Sequence, residues 1–205
     1  TGNGLTLFNP NLDKFQNFRP SEETFSIEDL AVDNSGNIWM VTTNSGVWKF
    51  DYVSKKFSNL NAIFKTRLGK KIFVTTKGEV LLASDEPLLQ VYNVSSNKSI
   101  EIELKTKLAN YPLRVNFTTQ IGDGEVYLGT NQGIFLLNLK TYKAIPVFKQ
   151  LDEKYGMLNV TGIIFGDRDE LYVSTANEGL IIIQPDGTFI KIVKDEFQRN
   201  SLISN

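Results

Sequence analysis

A hydroxyl residue recurs along this chain at nearly equal intervals, and it constrains the fold more than any other feature. It falls at Thr1, Thr42, Ser84, Thr130 and Thr175, at spacings of 41, 42, 46 and 45 residues. The surroundings repeat with it. "GNIWMVTTNSGVWKFD" from Gly36 aligns with "GEVLLASDEPLLQVYN" from Gly78, "GEVYLGTNQGIFLLN" from Gly124 and "DELYVSTANEGLIII" from Asp169. Each copy has a turn residue, an apolar run, a small residue, the hydroxyl, a short polar break and a second apolar run. The opening "TGNGLTLFN" matches the back half of the same unit.

A period of about 40–50 residues is that of a β-propeller blade. Each unit reads as four short strands. In the first complete copy these are Ser26–Val32, Asn37–Thr42, Gly46–Asp51 and about Lys56–Leu60. "DNSG", "GDG", "DRDE" and "PDG" supply hairpin turns, because Gly, Asn and Asp accept the positive φ that tight turns need. No stretch has a helical period except Phe148–Tyr155. The second strands, "NIWMV", "EVLLA", "EVYLG" and "ELYVS", are unbroken apolar runs rather than alternating ones. Such strands are covered on both faces, as when each blade is packed between two others. Val41, Ala83, Gly129 and Ser174 occupy the matched small position, and Trp39, Leu81, Tyr127 and Tyr172 the matched large one. "SIEIEL" (Ser99–Leu104) alternates and reads as an outer edge strand.

The expected fold is therefore all-β, a β-propeller of four-stranded antiparallel blades, either partial or small. The expected divisions are a partial blade at 1–20, blades at about 21–62, 63–106, 107–150 and 151–194, and the start of a further blade at 195–205. The chain begins at Thr1 rather than Met and reads as a mature form or a piece of a longer protein. An open arc is favoured over a small closed ring, because "FQRNSLISN" at the end reads as the lead-in to another repeat.

Composition removes whole classes of chemistry. There is no His and no Cys, which excludes disulfides, thiolate nucleophiles, Ser-His-Asp triads and every His or Cys metal site. A net charge of -1 gives no field favouring nucleic acid or anionic membranes, and no apolar run approaches the ~20 residues that cross a bilayer. "DNSGN" and "DRDE" lack the ligand set of a calcium loop and read as turns. No catalytic residue, metal or cofactor is expected.

The segment "IEDLAVDNSGNIWMVTTNSGVWKFD" resembles the two-component-regulator propeller repeat. Asp33, Gly36, Trp39, Thr42 and Gly46 fill that repeat's places, and Val41 replaces its usual Gly. The fourth copy keeps Tyr127, Gly129, Thr130 and Gly133, the last keeps Tyr172, Thr175 and Gly179, and the third is worn, with Pro87 where Gly is expected. The resemblance implies the periplasmic sensor half of a Bacteroides-type hybrid two-component histidine kinase. In that family the sensor responds to polysaccharide breakdown products and controls genes for carbohydrate use. It also implies a dimer through the parent sensor.

A ligand on such a fold meets the loops between strands two and three and between successive blades. The candidate residues are Asn44, Asp85, Asn131, Gln132, Asn177 and Glu178 in the former, and Arg67, Tyr111 and Arg114 in the latter. Their amides, carboxylates and guanidinium groups suit sugar hydroxyls, with an oligosaccharide as the expected ligand. Tyr111, Trp48 and Tyr155 are the aromatics expected at the surface. A passive protein-binding scaffold and a secreted propeller lyase or hydrolase are the alternatives. For the latter the resemblance implies a His that this chain lacks, which leaves carboxylates such as Asp85 and Glu178.

Overall fold

The computed structural model describes residues 4–20, 26–64, 69–105, 108 and 111–194. Thr1, Arg67 and the stretch 195–205, all of which entered the sequence reading, lie outside the described residues. The chain divides into two compact units, Thr1–Glu101 and Ile102–Asn205.

The fold is all-β, as the periodicity required. A hairpin, β1 (Leu5–Asn9) and β2 (Lys14–Phe18), precedes four antiparallel sheets of four strands each. The first holds β3 (Ile27–Val32), β4 (Ile38–Thr42), β5 (Gly46–Asp51) and β6 (Lys56–Asn59). The second holds β7 (Gly69–Val74), β8 (Glu79–Ser84), β9 (Leu88–Asn93) and β10 (Lys98–Glu103). Then come β11 (Val115–Ile121), β12 (Glu125–Thr130), β13 (Gly133–Asn138) and β14 (Lys143–Val147). After α1 (Lys149–Tyr155) the last sheet holds β15 (Val160–Phe165), β16 (Leu171–Thr175), β17 (Leu180–Ile183) and β18 (Phe189–Ile192). Within each sheet the spatial order follows the chain order.

The hydroxyl column closes the turn between the second and third strands. Thr42 donates to the Gly46 carbonyl and accepts the Ser45 N–H, at 2.9 and 3.1 Å. Thr130 does the same with Gly133 and Gln132, and Thr175 with Gly179 and Glu178. In the worn copy Ser84 accepts the Glu86 N–H, at 3.2 Å. The turn between the third and fourth strands repeats too. Asn9, Asp51, Asn93 and Asn138 each accept main-chain N–H groups two or three residues on. Each of these turns ends in a residue with φ near +50°, namely Asp13, Lys55, Asn97 and Tyr142, followed by Lys.

Burial follows strand position. β8 is buried throughout and β4 nearly so, whereas Ile102 alone is buried in the edge strand β10. In the first unit, Trp39, Val41 and Val47 pack with Phe64 of the following connector and with Ile72, Val80, Leu82 and Tyr92 of the following sheet. In the second, Ile134 joins Leu151, Leu158, Val160, Ile163 and Val173. Within each unit, where its two four-stranded sheets meet, a valine faces a glycine. A Cβ on Gly69 would lie 2.3 Å from Val41 Cγ2, and a Cβ on Gly129 would lie 2.7 Å from Val160 Cγ1. The first strand of each four-stranded sheet carries a register shift at the same place, at Ile27/Asp29, Gly69/Lys71, Val115/Phe117 and Val160/Gly162. Each of these bulges leaves one residue, Glu28, Lys70, Asn116 or Thr161, outside the regular pairing.

Candidate ligand-binding face

In the second unit the candidate residues form a braced platform. The connector leading into β11 carries Tyr111 and Arg114, both exposed, on either side of Leu113, which is fully buried. The turn after β12 clasps it. Asn131 Oδ1 accepts the Arg114 N–H at 2.8 Å, and its Nδ2 donates to the Pro112 carbonyl at 2.9 Å. Gln132 Nε2 donates to the Tyr111 carbonyl at 2.7 Å. The structure thus brings together four of the residues picked from sequence, but in two roles. Asn131 and Gln132 are buried and direct their amides at main chain. They position the connector and do not face solvent as the sequence reading had them. Tyr111 and Arg114 are the groups this arrangement presents outward. A ring with one face in water can carry a sugar face, and a guanidinium beside it offers paired donors to a carboxylate, sulfate or vicinal hydroxyls.

Glu178 is drawn elsewhere. Its carboxylate pairs with Lys191 Nζ in a short contact, and Lys191 lies 4.8 Å from the centroid of the Tyr155 ring. Asn177 is exposed at the turn beside it. Tyr155, at the end of α1, is half-buried, its ring meeting that of Phe189 at 67°. Trp48, expected at the surface, is only 8 % exposed and donates its indole N–H to the Ser45 carbonyl. The expectation failed because the face of β5 that carries Trp48 packs in a cluster with Leu5 of β1, Met40 and Phe50, with Phe18 of β2 against it.

In the first unit Asn44 and Asp85 are exposed at their turns. Sequence reasoning missed a polar ladder on the first strands. Glu28 lies 3.5 Å from Lys70 and also accepts the Thr43 hydroxyl at 3.2 Å. Asp29 accepts the Ile72 N–H at 3.1 Å and stands 3.9 Å from Lys71. In the second unit Asn116 does the equivalent work, donating to Asn159 Oδ1 and the Val160 carbonyl, both at 2.9 Å. The signal in sequence was the bulge position of each first strand, invisible until the register is known. A cleft of about 600 Å³ opens beside this ladder, between Gly4–Thr6 and Ser26–Leu30. Among the described residues no cluster of carboxylates suited to a metal ion occurs.

No family model matches the sequence, and no curated protein matches it either. Solved structures do. The extracellular domain of BT4673 of B. thetaiotaomicron, assigned to the hybrid two component systems, matches over 100 % of this chain with a TM-score of 0.80 and 19 % identity. The corresponding domain of BT3049 from the same organism matches over 99 % with a TM-score of 0.77 and 15 % identity. The chain has a β-propeller fold. It spans 27 % of the length of each of these two neighbours. Virginiamycin B lyase from Staphylococcus aureus matches over 94 % of this propeller chain and 64 % of its own, with a TM-score of 0.71 and 14 % identity. At such identities the likeness establishes the fold, and the propeller's function rests on its own residues.

Proposed function

We propose that this chain is part of the extracytoplasmic propeller of a hybrid two-component sensor and takes no part in catalysis itself. The observation that carries the reading is the likeness over the whole chain to two extracellular domains of such systems. The repeat motif around Trp39 supports it independently. A saccharide fragment released from a polysaccharide docks on the loop face, with Tyr111 under a sugar ring and Arg114 on its polar substituents. Asn177 is a further contact in the second unit, Asn44 and Asp85 serve the equivalent turns of the first unit, and Arg67, outside the described residues, is a further candidate. Binding that differs between two arrangements of a dimeric parent shifts their populations, and that shift is the signal. Control of carbohydrate-use genes then belongs to the parent protein.

The likeness to a lyase favours one second reading, a propeller enzyme. The residues argue against it. The chain has no His, and Glu178, one of the carboxylates available for acid-base work, is ion-paired with Lys191. A test separates the readings. The purified chain is screened against acidic and neutral oligosaccharides by calorimetry, with product analysis of the same mixtures. Binding without turnover, lost in Tyr111→Ala and Arg114→Ala, supports the sensor. Turnover of any saccharide overturns it in favour of the enzyme, and capture of a protein partner without any saccharide response favours a scaffold.

A further inference from the structure

Among the described residues α1 is the only helix, and it interrupts the four-strand pattern between the last two sheets. Its final two residues, Lys154 and Tyr155, meet Phe189 and Lys191 of the outer strand β18. We propose that Lys154 and Lys191, held against the Tyr155–Phe189 ring pair, form a subsite for an anionic substituent, a carboxylate or a sulfate, of the bound saccharide. The inference rests on the saccharide reading above and adds to it a preference for acidic over neutral ligands.

Three observations carry it. The first is charge. Lys154 Nζ lies 4.9 Å from the centroid of the Phe189 ring and 5.3 Å from that of Tyr155. Lys191 Nζ lies 4.8 Å from the Tyr155 centroid. Two ammonium groups thus gather around one phenol ring, an arrangement that an added anion relieves. Glu178 pairs with Lys191. Among the described residues Lys154 has no carboxylate at ion-pair distance. Asp152 and Glu153 precede it on α1 by two positions and by one, and side chains at those spacings do not face each other. The cluster of Lys154, Lys191 and Glu178 therefore keeps one uncompensated positive charge.

The second observation is preorganisation. Phe189 and Lys191 are two apart on β18 and share one face of the sheet. Tyr155 and Phe189 both pack against the core of the second unit. Glu178 donates its own N–H to Thr175 Oγ1 at 2.9 Å, so its carboxylate aims Lys191 from a closed turn. Lysines already held in place lose less freedom when a ligand binds. The rings already face ammonium groups, so a charged group fits here better than a sugar face does. The third observation is continuity with Tyr111 and Arg114. The turn after β12 clasps their connector through Asn131 and Gln132, and on its other side Gly133 donates its N–H to the Leu158 carbonyl at 2.8 Å. Leu158 lies three residues past Tyr155. The Ala176 N–H donates to the Asn159 carbonyl at 2.8 Å and ties the turn of Asn177 and Glu178 to the same connector. Linked main-chain segments thus lead from the Arg114 platform to the two lysines, and a saccharide seated on Tyr111 extends along them.

The test uses the 205-residue protein with two kinds of probe. Inorganic sulfate is titrated while the ring resonances of Tyr155 and Phe189 are followed by NMR, with chloride at equal ionic strength as the control. A panel of uronic-acid and sulfated trisaccharides, each beside its methyl-esterified or desulfated counterpart, is measured by calorimetry. Sulfate is expected to shift both rings saturably, and an acidic trisaccharide to bind about tenfold tighter than its neutral counterpart. Lys154→Gln and Lys191→Gln keep most of each side chain's stem, and each should cut that ratio to about threefold or less with the neutral affinity unchanged. Glu178→Gln removes the competing carboxylate and should strengthen sulfate binding about threefold, a gain that purely structural lysines would not give. Absence of a saturable sulfate shift overturns the proposal, as does an acid preference that survives both lysine variants. Neutral and acidic saccharides bound equally, with binding lost in Tyr111→Ala, overturn the subsite and leave the sensor reading standing. A sulfate shift without binding of any saccharide overturns both.

Discussion

Asp33 shows how much one side chain can organise. Its carboxylate accepts the Ser35 and Asn37 N–H groups, the Asn37 amide and the Trp39 indole N–H, all within 3.0 Å. It therefore fixes the turn between β3 and β4 and orients a fully packed tryptophan. Partial burial raises its pKa, but the bonds from Trp39, Asn37 and Ser35 outweigh that and hold it below the usual 3.8. Asp51 and Asp186 are lowered as well, through bonds from Ser54 and Thr188 respectively. A carboxylate lowered on folding adds stability above its unfolded pKa and loses it as pH falls through the folded value. The protein is thus expected to lose stability progressively below about pH 4, and Asp33→Asn should flatten that acid limb in urea titrations run from pH 7 down to pH 2. Asp33→Ala leaves a buried indole N–H unpaired and should cost about 1–3 kcal/mol at neutral pH, read from chemical unfolding. Thr42 and Thr130, each 0 % exposed, carry the comparable role at the next turn. Thr42→Val keeps the shape, removes both bonds, and should cost a similar ~1–3 kcal/mol.

At the scale of the element, the contact between successive sheets is a volume exchange. In the first unit Val41 is large and Gly69 small; in the second unit the matched Gly129 is small and Val160 large. The departure of Val41 from the repeat's usual Gly is thereby explained, since the following strand gives up its side chain to receive it. Gly69→Val should cost about 1–3 kcal/mol by overpacking. Val41→Gly should also destabilise, by leaving a cavity and loosening the strand. The double variant Val41→Gly/Gly69→Val recreates the arrangement of the second unit, and most of the loss should return. A double-mutant cycle by thermal unfolding measures that coupling. The outer strands follow another rule. β2, β6, β10 and β14 each begin with an exposed Lys, at 14, 56, 98 and 143, and a charge there discourages pairing with foreign strands.

For the molecule as a whole, the proposed site divides rigidity and recognition between different residues of the second unit. Asn131 and Gln132 hold the connector, and Tyr111 and Arg114 are what it holds out. Substitutions should separate accordingly. Tyr111→Ala and Arg114→Ala should leave unfolding unchanged within about 0.5 kcal/mol and weaken saccharide binding about tenfold or more each. Asn131→Ala should instead lower stability by about 1–2 kcal/mol, because the Arg114 N–H and Pro112 carbonyl lose their partner. Parallel calorimetry and unfolding of the three variants check the division.

The repeat, the strands and the turns were legible in the sequence because each depends on local chemistry. A Thr closes its turn from four residues away, an Asx caps its own hairpin, and an unbroken apolar run announces two covered faces. Strand limits in the first complete copy agree with those read from sequence to within one residue. What only the tertiary structure decided involves residues distant in the chain. The amides of Asn131 and Gln132 look solvent-ready in sequence, yet they turn inward because a connector about twenty residues earlier passes over them. Trp48 looks exposed until Leu5 of the preceding hairpin packs in one cluster with it. Glu28 and Lys70 meet, and Val41 matches Gly69, only because two bulged first strands lie side by side. Hydrogen bonds between near neighbours leave a mark on composition at fixed spacing, whereas contacts between sheets require only that two volumes or two charges fit, and many sequences satisfy that.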